Sequence, residues 1–185
     1  MEIVTAQRDV RYLYRGGFFG QLVSAALWSV SAAFGTWGTP RQAILILVLG
    51  GFLIFPLTTL LVRAATGRAS LGSGHPMNGL AMQIAFTLPL TLPLVGAATM
   101  YRLHWFYPAF MIALGAHYLP FTFLYGMRMF MGLGGVLIAG GLSLALWGPT
   151  TFSLGGWITG VVLALAAFAG LAAVSAEQAR TSAGT

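Results

Sequence analysis

No acidic side chain stands between Asp9 and Glu177 in this chain of 185 residues, and no lysine stands anywhere. Charged residues make up 6% of the sequence, against about a quarter in a soluble domain. Too few charges exist to cover a water-facing globule, so the sequence predicts a chain that lives in a bilayer. A spanning helix needs ~20 mostly apolar residues, and six runs of that kind can be marked out. They cover about 16–37, 42–62, 79–101, 105–125, 129–147 and 154–174. The third and fourth contain Pro89, Pro93, Pro108 and Pro120, which membrane helices tolerate when neighbours satisfy the freed carbonyls. The expected fold is all-α, a polytopic bundle of six transmembrane helices over residues 16–175. Residues 1–15 would form a short interfacial helix and 176–185 a small, polar, disordered tail.

Arginines set the expected orientation. With the N-terminus inside, Arg8, Arg11, Arg15, Arg63, Arg68, Arg128 and Arg180 share the inner side, leaving only Arg41 and Arg102 outside. This is a positive-inside bias, and it places both termini in the cytoplasm. The first run is longer than a signal-peptide core, so a retained span is expected. Arg8, Arg11 and Arg15 recur at helical spacing, with Tyr12 and Tyr14 suited to the headgroup region. The net charge of +6 is scattered between apolar runs and forms no patch. Membrane lipids, and not nucleic acid, are the expected partners.

Composition also excludes chemistry. Carboxylate-coupled ion pumping and paired-carboxylate hydrolysis lack their acids. The missing lysine excludes a Schiff base. The missing cysteines exclude thiol catalysis, thiolate metal sites and iron–sulfur clusters. The three histidines, His75, His104 and His117, are too dispersed for a metal or for haem ligation within one chain. No Gly-x-Ser-x-Gly elbow is present. No cofactor is expected, and an enzyme ranks last among the function classes.

The polar side chains gather on two runs. Treated as one continuous helix, the fourth places His117, Tyr118, Thr122, Tyr125 and Arg128, with Tyr107 and His104, within an arc of roughly 140°. Trp105, Ala109, Ile112, Leu119, Phe123 and Met127 would face lipid on the other side. The third carries Gln83, Thr87 and Thr91 at spacings of four. At ~1.5 Å rise per residue, Thr87 and His117 fall at one depth. Gln83, Thr87, His117, Tyr118, Thr122, Tyr125 and Arg128 are therefore the candidate ligand-binding set. Two readings stand. The stripes line a polar cavity between the third and fourth spans, or they only hydrogen-bond between helices while Arg128 snorkels. Small residues recur at Gly132, Gly135 and Ala139, and at Gly156, Gly160 and Ala164. They predict a tight hairpin of the last two spans or a homo-oligomer seam.

The stretch Gly115-Ala116-His117-Tyr118-Leu119-Pro120-Phe121, followed by Leu124-Tyr125-Gly126-Met127, resembles a motif of a bacterial domain-of-unknown-function family of small multi-pass membrane proteins. The resemblance extends from the arginine-rich N-terminus through the sixth span. It implies a bacterial inner-membrane protein and transfers no activity. Two functions are expected to compete. One is binding or passage of a small polar solute through a cavity between spans three and four. The other is an accessory subunit packed on another membrane protein.

Overall fold

The computed structural model describes residues 2–183. Eight α-helices follow in order: α1 (Ile3–Leu13), α2 (Phe18–Trp37), α3 (Pro40–Thr66), α4 (Asn78–Tyr101), α5 (Phe106–Tyr118), α6 (Phe121–Tyr125), α7 (Met129–Trp147) and α8 (Leu154–Ala183). Short 3₁₀ turns at Arg15–Gly17 and Leu103–Trp105 lead into α2 and α5. Among the described residues five helices are long and apolar enough to cross a membrane: α2 with its leading turn, α3, α4, α7 and α8. Their outer faces are apolar, with Leu90, Leu94, Leu165 and Phe55 all more than half exposed.

Local chemistry explains the ends. Thr39 accepts a hydrogen bond from the Gln42 backbone N–H while Gln42 accepts from Thr39, and Pro40 occupies the first helical position. This capping box starts α3 at once after α2. Gly67 ends α3 in the left-handed conformation that glycine adopts without strain. Arg15, Gly16 and Gly17 are all left-handed, with φ of 51°, 65° and 83°. They turn the chain sharply from α1 into α2.

The predicted fourth span is not one helix. After Tyr118 the regular ladder stops, Leu119 bonds back only to Ala116, and the five-residue α6 begins beyond Pro120. Pro120 has no N–H to bond to the carbonyl four residues back. Gly126 (φ 65°) then ends α6. The six-helix expectation thus becomes five long helices and one broken element. Pro56, Pro89 and Pro93 leave α3 and α4 unbroken in secondary structure.

α5 sits at the centre, and Phe106, Tyr107, Phe110, Met111, Leu114 and Tyr118 are all buried. It packs closely on α7, where Gly115 meets Gly134 and Pro108 meets Gly141. A β-carbon on Gly115 would stand 2.7 Å from the Gly134 carbonyl oxygen, and one on Gly141 would stand 2.7 Å from that of Pro108. α8 packs against α2 in the same way, through Gly160 on Ser29 and Gly156 on Ala32 and Tyr107. The expected tight hairpin of α7 and α8 is therefore corrected. Each helix spends its small residues on a different partner, and the α7 contacts are Gly134 and Gly141, while Gly132 and Gly135 have open space beside them. A buried chain of hydroxyls joins α5, α2 and α3. Tyr107 donates to Ser31 at 2.6 Å, and Ser31 donates to the Ala43 carbonyl at 2.8 Å.

α1 is a short amphipathic helix, as expected, with Ala6, Val10 and Leu13 buried. Its arginines do not all face outward. Arg11 forms a two-pronged bond to Glu177, at 2.7 Å and 2.6 Å, and also donates to the Tyr125 carbonyl at 3.3 Å. Its pKa is raised, chiefly by the hydrogen bonds to that carboxylate. The disordered-tail expectation is corrected by the same contact, because α8 continues to Ala183 and carries Glu177 to Arg11. The final two residues of that tail lie outside the described residues. The Arg11–Glu177 contact also places the N-terminal helix and the end of α8 at one end of the bundle.

Two outcomes follow for stability in detergent. Gly115→Ala lowers the thermal midpoint because its methyl meets the α7 backbone, whereas Gly132→Ala leaves it unchanged or raises it, since alanine is the better helix former by ~1 kcal/mol. A double-mutant cycle with Arg11→Gln and Glu177→Gln yields a coupling of about 1 kcal/mol or more, above that of an exposed pair.

Candidate functional site

Only 6% of the apolar window of α3 and 11% of that of α4 is buried, against 33% for α2 and α8. α3 leans on α2 and α4 on α5, while α3 and α4 hardly touch each other. Between them lies a cleft of about 610 Å³. Its back wall is α2 and the α5–α6 element, and Leu47, Leu88, Leu92, Phe110 and Leu114 line it. Phe52 and Phe55 also line it and are 66% and 76% exposed, so it opens sideways between α3 and α4. The walls are overwhelmingly apolar. Their polar exceptions are Gln21, Ser24, Thr58 and Thr59 on α2 and α3, His117, Tyr118 and Tyr125 opposite, and Tyr14 and Ser70 in the connections at one end.

The broken helix positions the second group. Beyond Pro120, Phe121 and Tyr125 lie one turn apart on α6 and stack parallel, with ring centres 5.8 Å apart. Tyr118 stacks parallel to Phe130 of α7 at 6.2 Å, and His117 meets Phe121 edge-on at 5.2 Å. Aromatic pairs of this kind favour offset or edge-on geometry. The His117 Nδ1 lies 2.8 Å from the Thr87 hydroxyl. That hydroxyl also donates to the Ile84 carbonyl at 2.7 Å. Its remaining capacity is to accept, which assigns the ring proton to Nδ1 and leaves Nε2 as an acceptor.

The seven candidate residues therefore separate. Thr87 and His117 pair at one depth, and His117, Tyr118 and Tyr125 reach the cleft. Thr87 supports the imidazole and does not itself line the cleft. Gln83 is exposed on α4, and Arg128 is exposed at the start of α7. Thr122 has a buried hydroxyl with no hydrogen-bond partner among the described residues, and it lies off the cleft. The expected single arc fails at the break. Tyr107 turns to Ser31, and His104 lies in the 3₁₀ turn before α5. The expected cavity between the third and fourth spans is also displaced. Those spans are α4 and the α5–α6 element, which pack together, and the cleft opens between the second and third. Among the described residues no three His, Asp or Glu side chains gather where a metal could be held.

Gln21 and Thr58 are the cleft residues that sequence reasoning passed over. Gln21 is 2% exposed, and neither of its amide atoms has a hydrogen-bond partner among the described residues. The Thr58 hydroxyl is likewise buried and unpartnered. The available signal was a lone glutamine inside an apolar run between Gly20 and Leu22.

The motif from Gly115 to Met127 can now be read physically: a glycine that admits α7, an imidazole bonded to α4, a proline break, stacked rings and a left-handed glycine stop. The family's sequence profile matches residues 3–173, which include this whole element. The chain belongs to the family of unknown function DUF7010. No curated protein matches it, and no solved structure does. Within the DUF7010 chain the break and the cleft thus stand as its own evidence of purpose.

Thr87→Val removes the oxygen facing Nδ1 of the half-buried imidazole, with an expected cost of about 1 kcal/mol. Thermal unfolding reads the loss, and ¹⁵N shifts of the labelled imidazole report a changed tautomer balance.

Proposed function

We propose that this chain is a multi-pass membrane protein whose lateral cleft binds the apolar chain of a lipid-like molecule. The observation that carries the reading is the cleft itself: about 610 Å³, walled by aliphatic and aromatic side chains, and open sideways between two helices that do not meet. The volume falls within the range of small-molecule sites. A small polar solute would find few hydrogen-bonding partners there. An acyl or isoprenoid chain entering from the bilayer loses no hydration and gains contacts on three sides.

The membrane placement rests on two ends of different chemistry. Arg8, Arg11, Arg15, Arg63, Arg68 and Arg180 lie towards the end that α1 occupies, and α2 measures ~30 Å from there to Trp37, about one hydrocarbon thickness. At the far end Trp37, Tyr101 and Trp147 are each more than 70% exposed. Arg102 lies over the rings of Tyr101 and Trp105 at 5.5 Å and 5.2 Å. Exposed aromatic rings at a bundle end suit the membrane interface. In this reading α2, α3, α4, the α5–α6 element, α7 and α8 make six crossings of a bacterial inner membrane. The arginine-rich end and both termini face the cytoplasm.

A second reading is an accessory subunit that packs on another membrane protein or on its own copy. Gly132, Gly135 and Ala139 turn outward along α7 and favour it. Recovery of a lone monomer in mild detergent counts against it.

Purified protein in vesicles, illuminated with a fatty-acid probe bearing a diazirine midway along its chain, tests the cleft. Labelling is expected to concentrate on α3 and α4 peptides that carry Phe52, Phe55 and Leu88. Gly51→Trp and Ala85→Trp, which fill the cleft from opposite walls, should reduce that labelling at least fivefold. Ala139→Trp on the outer face of α7 should not. Even labelling over α3, α4, α7 and α8 would remove the proposal.

A further inference from the structure

An apolar cleft in a bilayer needs no buried amide, yet Gln21 puts one in its wall. The residue is 2% exposed, and both its amide nitrogen and its amide oxygen are unpartnered among the described residues. Burying such a group without a hydrogen bond opposes folding. The neighbourhood keeps it that way. A β-carbon on Gly17 would lie 3.8 Å from the Gln21 amide nitrogen, so the side chain folds back towards the start of α2. A β-carbon on Gly20 would lie 3.8 Å from the Thr58 hydroxyl, which is also buried and unpartnered. Both residues line the cleft. An amide N–H₂ donor, an amide acceptor and a hydroxyl therefore face one space whose remaining lining is mostly apolar.

Their depth identifies what they can meet. Arg63 stands five residues after Thr58 on α3, so the Thr58 hydroxyl sits roughly 7–8 Å beyond that basic level at ~1.5 Å per residue, and Gln21 lies in the first turn of α2 just past Arg15. The folded-back Gln21 amide lies nearer still to Arg15. Basic side chains at a helix end mark the phosphate level of a leaflet. One helical turn further in lie the glycerol and its acyl ester carbonyls. A second cavity of about 580 Å³ adjoins at Leu71, which lines both, and its charged lining is Arg15 and Arg68 with the single carboxylate of Asp9. The whole path is graded, with cations at the mouth, hydrogen-bonding groups below them and an apolar channel beyond.

We infer that Gln21, with Thr58, forms a polar subsite for the ester carbonyl of a glycerol-linked acyl lipid whose chain occupies the cleft. The inference rests on the lipid-chain reading of the cleft and adds its ligand class. The Gln21 amide nitrogen donates to the carbonyl oxygen, and the Thr58 hydroxyl donates to it or accepts from a glycerol hydroxyl. Neutral acylglycerols and glycerophospholipids share this linkage. Arg15 and Arg68 distinguish them, because only the phospholipid has a phosphate to meet them.

Competition against the diazirine fatty-acid probe tests the subsite. The competitors are a diacyl phosphatidylglycerol, its dialkyl ether analogue of the same chain length, and a monoacylglycerol. The ether keeps the shape and the phosphate and lacks the carbonyl. Wild type should prefer the diester to the diether by roughly threefold to tenfold, the worth of one hydrogen bond. Gln21→Leu should abolish that preference while leaving diether competition unchanged or stronger. Thr58→Val, which conserves shape, should reduce the preference in part and serves if the leucine variant does not fold. The double variant Arg15→Gln, Arg68→Gln should weaken the phospholipid and not the monoacylglycerol if the phosphate is read at the mouth. Unchanged phospholipid competition assigns the site to neutral acylglycerols instead. Equal competition by diester and diether in wild type, or a preference that survives Gln21→Leu, overturns the subsite and leaves the cleft reading intact. Failure of every competitor to displace the probe from α3 and α4 overturns both.

Discussion

Inside a bilayer an exposed carbonyl has no water to turn to, and each unsatisfied backbone group costs several kcal/mol. A helix that ends within a bundle must therefore find donors for its last carbonyls. At the α5–α6 element they come from α1. Gln7 donates to the Phe123 carbonyl at 2.6 Å, and Arg11 donates to the Tyr125 carbonyl at 3.3 Å. Glu177, reaching down from α8, holds Arg11 in place. Arg11 also puts a positive charge at the C-terminal end of α6, where the helix dipole favours it. A segment that looks like a peripheral membrane anchor thus works as a cap for a buried helix end.

The break shapes the cleft. Phe121 and Tyr125, one turn apart on the same face of α6, stack at an interplanar angle of 11° beside Phe130. Stacked there, they form a solid back wall. α4 then leans on α5, tied by the Thr87–His117 bond, while α3 stays with α2. The two pairs diverge, and the gap between α3 and α4 is the consequence. Glycine supplies the rigidity on the other side. Gly115 on Gly134 and Gly16 on Gly170 bring backbones so close that a methyl group would not fit. Where lipid gives helices no hydrophobic reason to associate, such contacts carry the assembly.

Much of this was legible from residues alone. The five long helices follow from the apolar runs. The Thr87–His117 meeting follows from equal depth on antiparallel segments, and the helicity of α1 from the spacing of Arg8, Arg11 and Arg15. What escaped had physical causes. A helical wheel assumes an unbroken helix, so Pro120 invalidated every angle computed across it, and Arg128 and Thr122 left the stripe. Small-residue spacing shows that a helix packs closely and does not show on which neighbour, so Gly156 and Gly160 met α2 instead of α7. Composition marked the residues after Val174 as a tail, because Glu177 has its reason only in a partner more than 160 positions away. Gln21 escaped because one amide in an apolar run carries no periodicity. Its meaning comes only from the absence of a partner nearby.

The same comparison separates two kinds of buried polar group in this fold. Ser31, Tyr107 and Ser153 all have side-chain partners, Ser153 through the exposed Thr36 of α2, and they fix how α2 meets α3, α5 and the start of α8. His117 belongs with them through Nδ1, and its Nε2 remains an acceptor. Gln21 and Thr58 differ, because their donors and acceptors face the cleft and meet no neighbour. A glutamine serving only structure at that position would be better replaced by leucine, which fills similar space without the desolvation cost. Retaining an amide there makes physical sense when something with a hydrogen-bonding group enters beside it. The depth of that amide, one turn inside the arginines, then limits what can enter to molecules that join a polar linkage to an apolar chain.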